Sequence, residues 1–411
     1  MITGVNGIVT QAQRAKEETE QEGELEKIKM AVLEAQVGDS GYQKLNPYNL
    51  QGTIDNQFEG RDVVVSMKED GTFIVSCLDT LKDYIVSGNT VEEGINWNEV
   101  MKNAVAPKSQ DEPRNEKVIG IGTDGNPVDM DLWQYTLSED NTFGLNNEGK
   151  GPGYLGEITS EGEIQGNIPQ YISVDNGKNY YKVTDLTRTF MRVVELKKMP
   201  TIPATANILR DTFYHCTGLI EVSNLPNNIT ELWGCFNGCT SIVTISNFPT
   251  KLNSMPYTFE NCTSLKNVPK IPDKVTNMIG SFSYCTSLKT IYNLPNELND
   301  MSYTFRGCTR LERIPIIPEK VTNMQETFYD CANLIAVEII PESVENLIYT
   351  FVNCAKLSGE MEINANITDL KNASGMFARA TTESGAKLKL KGSFPILTQV
   401  VSGTSNPNIT L

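Results

Sequence analysis

Histidine is almost missing from this chain: His215 is the single one in 411 residues. One imidazole leaves little raw material for a general base beside a nucleophile, or for a histidine-bearing metal site. Positive charge is also short. There are 35 Lys and Arg against 51 Asp and Glu, a formal net charge of −16, which excludes the basic footprint that nucleic-acid binding needs and provides no basic patch for anionic lipid. No apolar run approaches the length of a membrane-crossing helix, and Met1-Ile2-Thr3-Gly4 does not begin a signal peptide. What remains is a chain with ordinary apolar content, 39%, and length for two or three domains.

What is present is a period. Phe213, Phe236, Phe259, Phe282, Phe305, Phe328 and Phe351 recur at a constant 23-residue interval, each followed three positions later by a cysteine, Cys216 through Cys354. Pro226, Pro249, Pro272, Pro295 and Pro318 keep the same phase, as do Leu265, Leu288 and Leu311. A fixed spacing of this length with several apolar rows is the signature of a leucine-rich-repeat solenoid, in which each coil buries its apolar face against the next. The Leu-x-x-Ile segment reads as a short strand closed by proline, which lacks an N–H. The apolar spacings from Val275 through Met278 to Phe282 and Cys285 predict a short helical turn on the convex side. Phe190 is in phase with Val193 replacing the cysteine, and Phe377 comes late with Ala380 in that place, as end coils require. Lys387 to Lys391 and Phe394 to Val401 read as capping strands.

Seven cysteines in one phase raise disulfide and zinc readings. Equivalent residues on neighbouring coils point the same way, which is the wrong geometry for a disulfide, and the close spacings of a zinc site are lacking. Buried free thiols acting as small apolar fillers are expected. The repeat Phe-x-x-Cys-x-x-Leu-x-x-Ile, with Ile-Pro-x-x-Val-Thr-x-Met between, resembles the BspA-like leucine-rich repeats of bacterial surface proteins over about residues 186–380. The resemblance implies a solenoid displayed outside the cell and used for adhesion or protein binding.

Charge divides the chain. Residues 191–411 carry 19 basic and 19 acidic side chains, so the excess lies in residues 1–190. Gly7-Ile8-Val9-Thr10 leads into Ala12, Ala15-Lys16-Glu17 and Glu20, and Leu25, Ile28, Val32 and Ala35 then share one helical face. The Asn-Gly-Ile-Val-x-x-Ala-x-x-Ala-Lys-Glu pattern resembles the segment after the hydrophobic stem of prepilin-like and pseudopilin-like proteins of Gram-positive bacteria. It implies an anchor upstream of Met1 and missing from this chain, through which alone a membrane would be met. The domain reading is a pilin-like helix-plus-antiparallel-sheet module over 1–105, a linker and β-rich capping region over 106–185, the solenoid over 186–380 and a C-terminal cap over 381–411, an α+β chain as a whole. Within the module, Val63 to Met67 and Thr72 to Cys77 flank Asp70-Gly71, a hairpin signal, with a third strand at Tyr84-Ile85-Val86.

Chemistry is thinly represented. Gly120-x-Gly122-x-x-Gly125 matches a dinucleotide fingerprint as a string, but Asn126-Pro127 follows where a helix should start, so it reads as a tight turn. Asp124, Asp129 and Asp131 lack the spacing of a calcium loop. His215 beside Cys216 would form a dyad only if Cys216 differed from its six equivalents. No catalytic residue, cofactor or metal is expected. The candidate binding residues are Tyr257, Tyr303 and Tyr349, one row on alternate coils, with Asn267, Arg313 and Tyr292 from outward rows of the strand; tyrosine gives contact area at low conformational cost. The expected function is non-enzymatic surface binding of a protein or glycan, the alternative a structural pilin-like subunit decorated by its solenoid.

Overall fold

The computed structural model describes residues 23–411 except 39–40, 43–44, 46, 62, 69–71, 79, 89, 98, 101–117, 139, 141, 147–151, 176, 393–395 and 405. The prepilin-like pattern before residue 23, the Asp70-Gly71 turn and the opening of the linker region, 106–117, lie outside them.

The first unit is built on a four-stranded antiparallel sheet, β1 (Val63–Met67), β2 (Phe73–Cys77), β3 (Lys82–Ser87) and β4 (Thr90–Asn96), paired in chain order. Two helices, α1 over 23–36 and α2 (Pro47–Gln57), cover one face of it. Ile28, Val32 and Ala35 of α1 are buried against Val65, Val75 and Tyr84 of the sheet. The same helix carries a charge into that core. Glu24 is 3% exposed and accepts hydrogen bonds from Arg61, Tyr84 Oη (3.0 Å) and Thr80 Oγ1 (3.1 Å), the pairing a buried carboxylate requires.

Six short strands follow in one sheet: β5 (Ile119–Gly122), β6 (Pro127–Val128), β7 (Thr136–Leu137), β8 (Phe143–Gly144), β9 (Pro169–Ser173) and β10 (Tyr181–Asp185), ordered β6-β5-β9-β10-β8-β7. The glycine string is the β5–β6 hairpin, with Gly125 at φ +79° in its turn. Trp133 and Tyr154, paired with each other in a bridge outside this sheet, lie against Phe190, ring centroids 6.0 and 5.6 Å away, and so close the first end of the coil core.

From Phe190 to Phe377 the in-phase rings stack, neighbours 5.3–6.0 Å apart and within 13° of parallel. Strand pairing on the Leu-x-x-Ile segment is short, as in β11 (Glu221–Val222) with β12 (Thr244–Ile245). A second parallel ladder runs through Ile208, Glu231, Ser254, Asn277, Asp300, Asn323 and Asn346.

The expected helical turn does not form. Residues 278–285 are turns in which alternate N–H groups divide their partners: Ser281, Ser283 and Cys285 donate three residues back, while Gly280, Phe282 and Tyr284 donate to Ser302, Thr304 and Arg306 of the next coil. Left-handed backbone at Gly280 (φ +59°) and Tyr284 (φ +58°) interrupts any helix and turns those donors outward along the solenoid. Apolar spacings of three and four therefore mark successive tight turns.

Three parallel strands, β13 (Ile339–Ile340), β14 (Gly359–Ile363) and β15 (Leu388–Gly392), begin the closing sheet. The segment read as a strand over Phe394 to Val401 is instead helical in α3 (Leu397–Thr404), where Leu397 and Val400 bury one side at helical spacing, and β16 (Ile409–Thr410) completes the sheet.

Candidate binding surface

The coil offers two repeated faces, and the candidate residues divide between them. On the strand face Asn267 and Arg313 are exposed and Tyr292 is 74% exposed. Beside them Ile316, 70% exposed, and Ile339 stand uncovered around a groove of about 320 Å³ that Arg313, Pro315 and Glu338 also line. Val268 beside Asn267 and Ile291 beside Tyr292 point into the core, so the positions next to them face out.

Tyr257, Tyr303 and Tyr349 stand on the turn ladder instead, all in left-handed backbone at φ 53–58°. Their side chains run along the solenoid. A β-carbon at Gly280 would lie 2.5 Å from Cδ1 of Tyr257, and Tyr349 occupies the same space over Gly375. Tyr303, followed by Glu326 rather than glycine, accepts a hydrogen bond from Gln325 Nε2 at 2.6 Å. Burial pushes the phenols of Tyr257 and Tyr303 up, so both stay neutral. The six candidates therefore do not form one site.

Sequence reasoning missed two members of the turn face. Arg306 stacks on Tyr329 (4.8 Å) and Tyr284 (5.9 Å) and pairs with Glu326 at 2.5 Å, and Arg210 lies 4.9 Å from the Trp233 ring. Each of these partners belongs to a neighbouring coil, so only the coil period, applied pair by pair, could have found them.

The thiol row is buried and free of disulfides. Each thiol also donates to a phenylalanine carbonyl of the preceding coil, as Cys285 does to Phe259 at 3.1 Å and Cys308 to Phe282 at 3.1 Å. Burial pushes the Cys216 thiol up to about 12, and its Sγ is turned inward to Phe190 O while His215 is exposed against Gly238. The two cannot act as a dyad. Two of the three acidic residues are spent on local structure: Asp124 accepts from Asn126 and Asn167, and Asp129 caps the turn of Met130–Leu132. Among the described residues no group of three acidic, Cys or His side chains is arranged to hold a metal.

The model of the BspA type leucine rich repeat region matches residues 187–302 and 257–382, in six copies. Residues 187–382 form a BspA-type leucine-rich-repeat region. Among solved structures, the BspA-type region and its flanks are similar to a leucine-rich-repeat protein of T. pallidum (22% identity, 56% of this chain and 90% of that one, TM-score 0.36). A leucine-rich-repeat protein from Bacteroides ovatus is 21% identical over 64% of this chain and 71% of that one, TM-score 0.42. A leucine-rich cell surface protein from Faecalibacterium prausnitzii is 17% identical over 69% of this chain and 96% of that one, TM-score 0.26. No curated protein matches the chain. No helix among the described residues is long and apolar enough to cross a membrane.

Proposed function

We propose that this chain is a non-enzymatic binding protein displayed at the bacterial surface, which presents the strand face of its BspA-type region to a protein or glycan. The observation that carries the reading is the uncovered set at Tyr292, Arg313 and Ile316, two large apolar side chains left 70% or more exposed beside a cation on the Leu-x-x-Ile face of neighbouring coils. Solenoids bind along such repeated faces, and exposed aromatic and arginine side chains supply most of the energy where they do. The family supports display and binding in general and leaves the partner open. A paired screen of the full chain and a Tyr292→Ala/Arg313→Ala variant on arrays of surface proteins and glycans tests it. Ligands retained by the parent and weakened at least tenfold by the variant support this face; no saturable ligand, or ligands indifferent to the variant, overturn it.

The second reading, a pilin-like subunit that the solenoid decorates, draws on the packing of α1 across an antiparallel sheet. Concentration-dependent assembly that is lost when residues 1–22 are removed would support it over the first.

A further inference from the structure

The sheet of the first unit has a second face, and it is turned to the solenoid. Val64 packs with Ala204, the Val65 carbonyl accepts from Asn227 Nδ2 at 2.9 Å, and Trp97 meets Tyr171 with ring centroids 5.3 Å apart. Between these contacts lies a cleft of about 650 Å³. Ile74, Asp83 and Ile85 form its sheet wall, Thr201 and Ser223 its solenoid wall, and Asn167 part of its rim.

Asp83 is 7% exposed and lines this cleft, yet its Oδ1 has no hydrogen-bond partner. Burial raises the carboxyl from 3.8 to about 6, against side-chain hydrogen bonding from Ser76 and Trp97 that draws it down while Oδ1 stays unpaired. Two other charged side chains line the cleft: Lys68, which draws the Asp83 pKa down, and Asp124, whose oxygens are taken by Asn126 and Asn167. At neutral pH the cleft thus holds a desolvated carboxylate with one buried, unpaired oxygen; among the described residues Lys68 is the one cation of its lining, and apart from the occupied Asp124 the rest is aliphatic wall, hydroxyls and amides. An ammonium group compensates such a charge most directly, and the surrounding polar groups suit hydroxyls.

We propose that the cleft between the first sheet and the opening coils binds a small hydroxylated organic cation, an amino sugar in chemical class, with its ammonium on Asp83 and its hydroxyls on the Thr201, Ser223 and Asn167 side. The cleft meets the strand face only at its first coils, where Ser223 lies in the row that Tyr292 continues further along, and the proposal does not depend on what the exposed set at Tyr292, Arg313 and Ile316 binds.

Calorimetric titration of the full chain with D-glucosamine at pH 7, with D-glucose as the neutral counterpart, tests it. Saturable binding of glucosamine at least tenfold tighter than glucose is expected, about tenfold weaker at pH 5 where Asp83 is protonated. Asp83→Asn abolishes the preference, and Ser223→Phe, which fills the cleft from the solenoid side, abolishes binding while leaving Asp83 in place. Absence of saturable binding, equal binding of the two sugars, or glucosamine binding undiminished in either variant overturns the proposal. Should Asp83→Asn fail to fold, Ser223→Phe and the pH comparison still decide.

Discussion

The Tyr257 ring occupies the space in which a β-carbon of Gly280, one coil on, would stand. Both residues hold the same position on successive coils, and both are in left-handed backbone. A side chain there runs along the solenoid axis, so Tyr257 and Tyr349 each fill the place of a side chain on the coil that follows. Glycine follows two of the tyrosines in this row, Gly280 after Tyr257 and Gly375 after Tyr349, whereas Tyr303 is followed by Glu326 and bonds to Gln325 beside it.

Gly280→Ala introduces both a left-handed alanine and an overlap with Tyr257, and should cost about 2–4 kcal/mol. Gly385→Ala, at φ +85° with nothing near its added carbon, pays the backbone term alone, about 1 kcal/mol. Urea unfolding of both variants checks the difference, and a Tyr257→Ala background should return part of the Gly280→Ala loss. Equal losses at the two glycines would refute the packing account.

The thiols should be unreactive in the native state and reactive when unfolded. All nine cysteines are buried and none is in a disulfide, and burial holds the Cys216 thiol near 12, so almost no thiolate forms there at pH 8. Titration with an aromatic disulfide reagent should report under one thiol per chain natively and all nine in denaturant. Cys308→Ala should cost about 1–3 kcal/mol, for a small cavity and for leaving Phe282 O without its sulfhydryl donor.

The solenoid was legible because one constant interval repeats the same burial: Phe, Cys, Leu and Val rows all enter one core. The local conformation between rows was less so. Apolar spacings of three and four fit both a helix and successive turns, and what separates them is the left-handed backbone at Tyr257, Tyr284 and Tyr303, which tyrosine does not advertise. Strand β4, with Glu92, Glu93 and Gly94, carries no alternating apolar signal because it is a half-exposed edge. The rows holding Asn267, Tyr292 and Arg313 could be placed by alternation within the strand. The Arg306 stack and the Asp83 cleft could not, since both arise from residues brought together across coils or between units.

Glu24 fastens α1 to the sheet, and its removal should loosen the first unit selectively. Glu24→Ala leaves Arg61 facing a core without its buried carboxylate and deprives Tyr84 Oη and Thr80 Oγ1 of their shared acceptor. The loss should be about 3 kcal/mol, the range for breaking a buried ion pair from one side. Hydrogen exchange should show faster exchange in β1 to β3 with the coil amides of residues 255–331 unchanged. Uniform loss of protection along the chain would contradict it.

Asp83 predicts an unusual sign of pH dependence. Its carboxyl is raised from 3.8 to about 6, by burial first, so the folded chain holds this proton more tightly than the unfolded chain does. Stability from this group is therefore fully present below about pH 4 and is lost as pH rises through 6; the shift is worth about 3 kcal/mol at most. Asp83→Asn cannot ionise and should be more stable than the parent at pH 7.5 by about 1–3 kcal/mol, with the advantage vanishing near pH 4. Unfolding midpoints of the two proteins at pH 4, 6 and 7.5 measure the difference directly. A gap that widens toward low pH would mean that the folded carboxylate is held charged by a partner, and would also remove the unpaired acceptor on which the cleft depends.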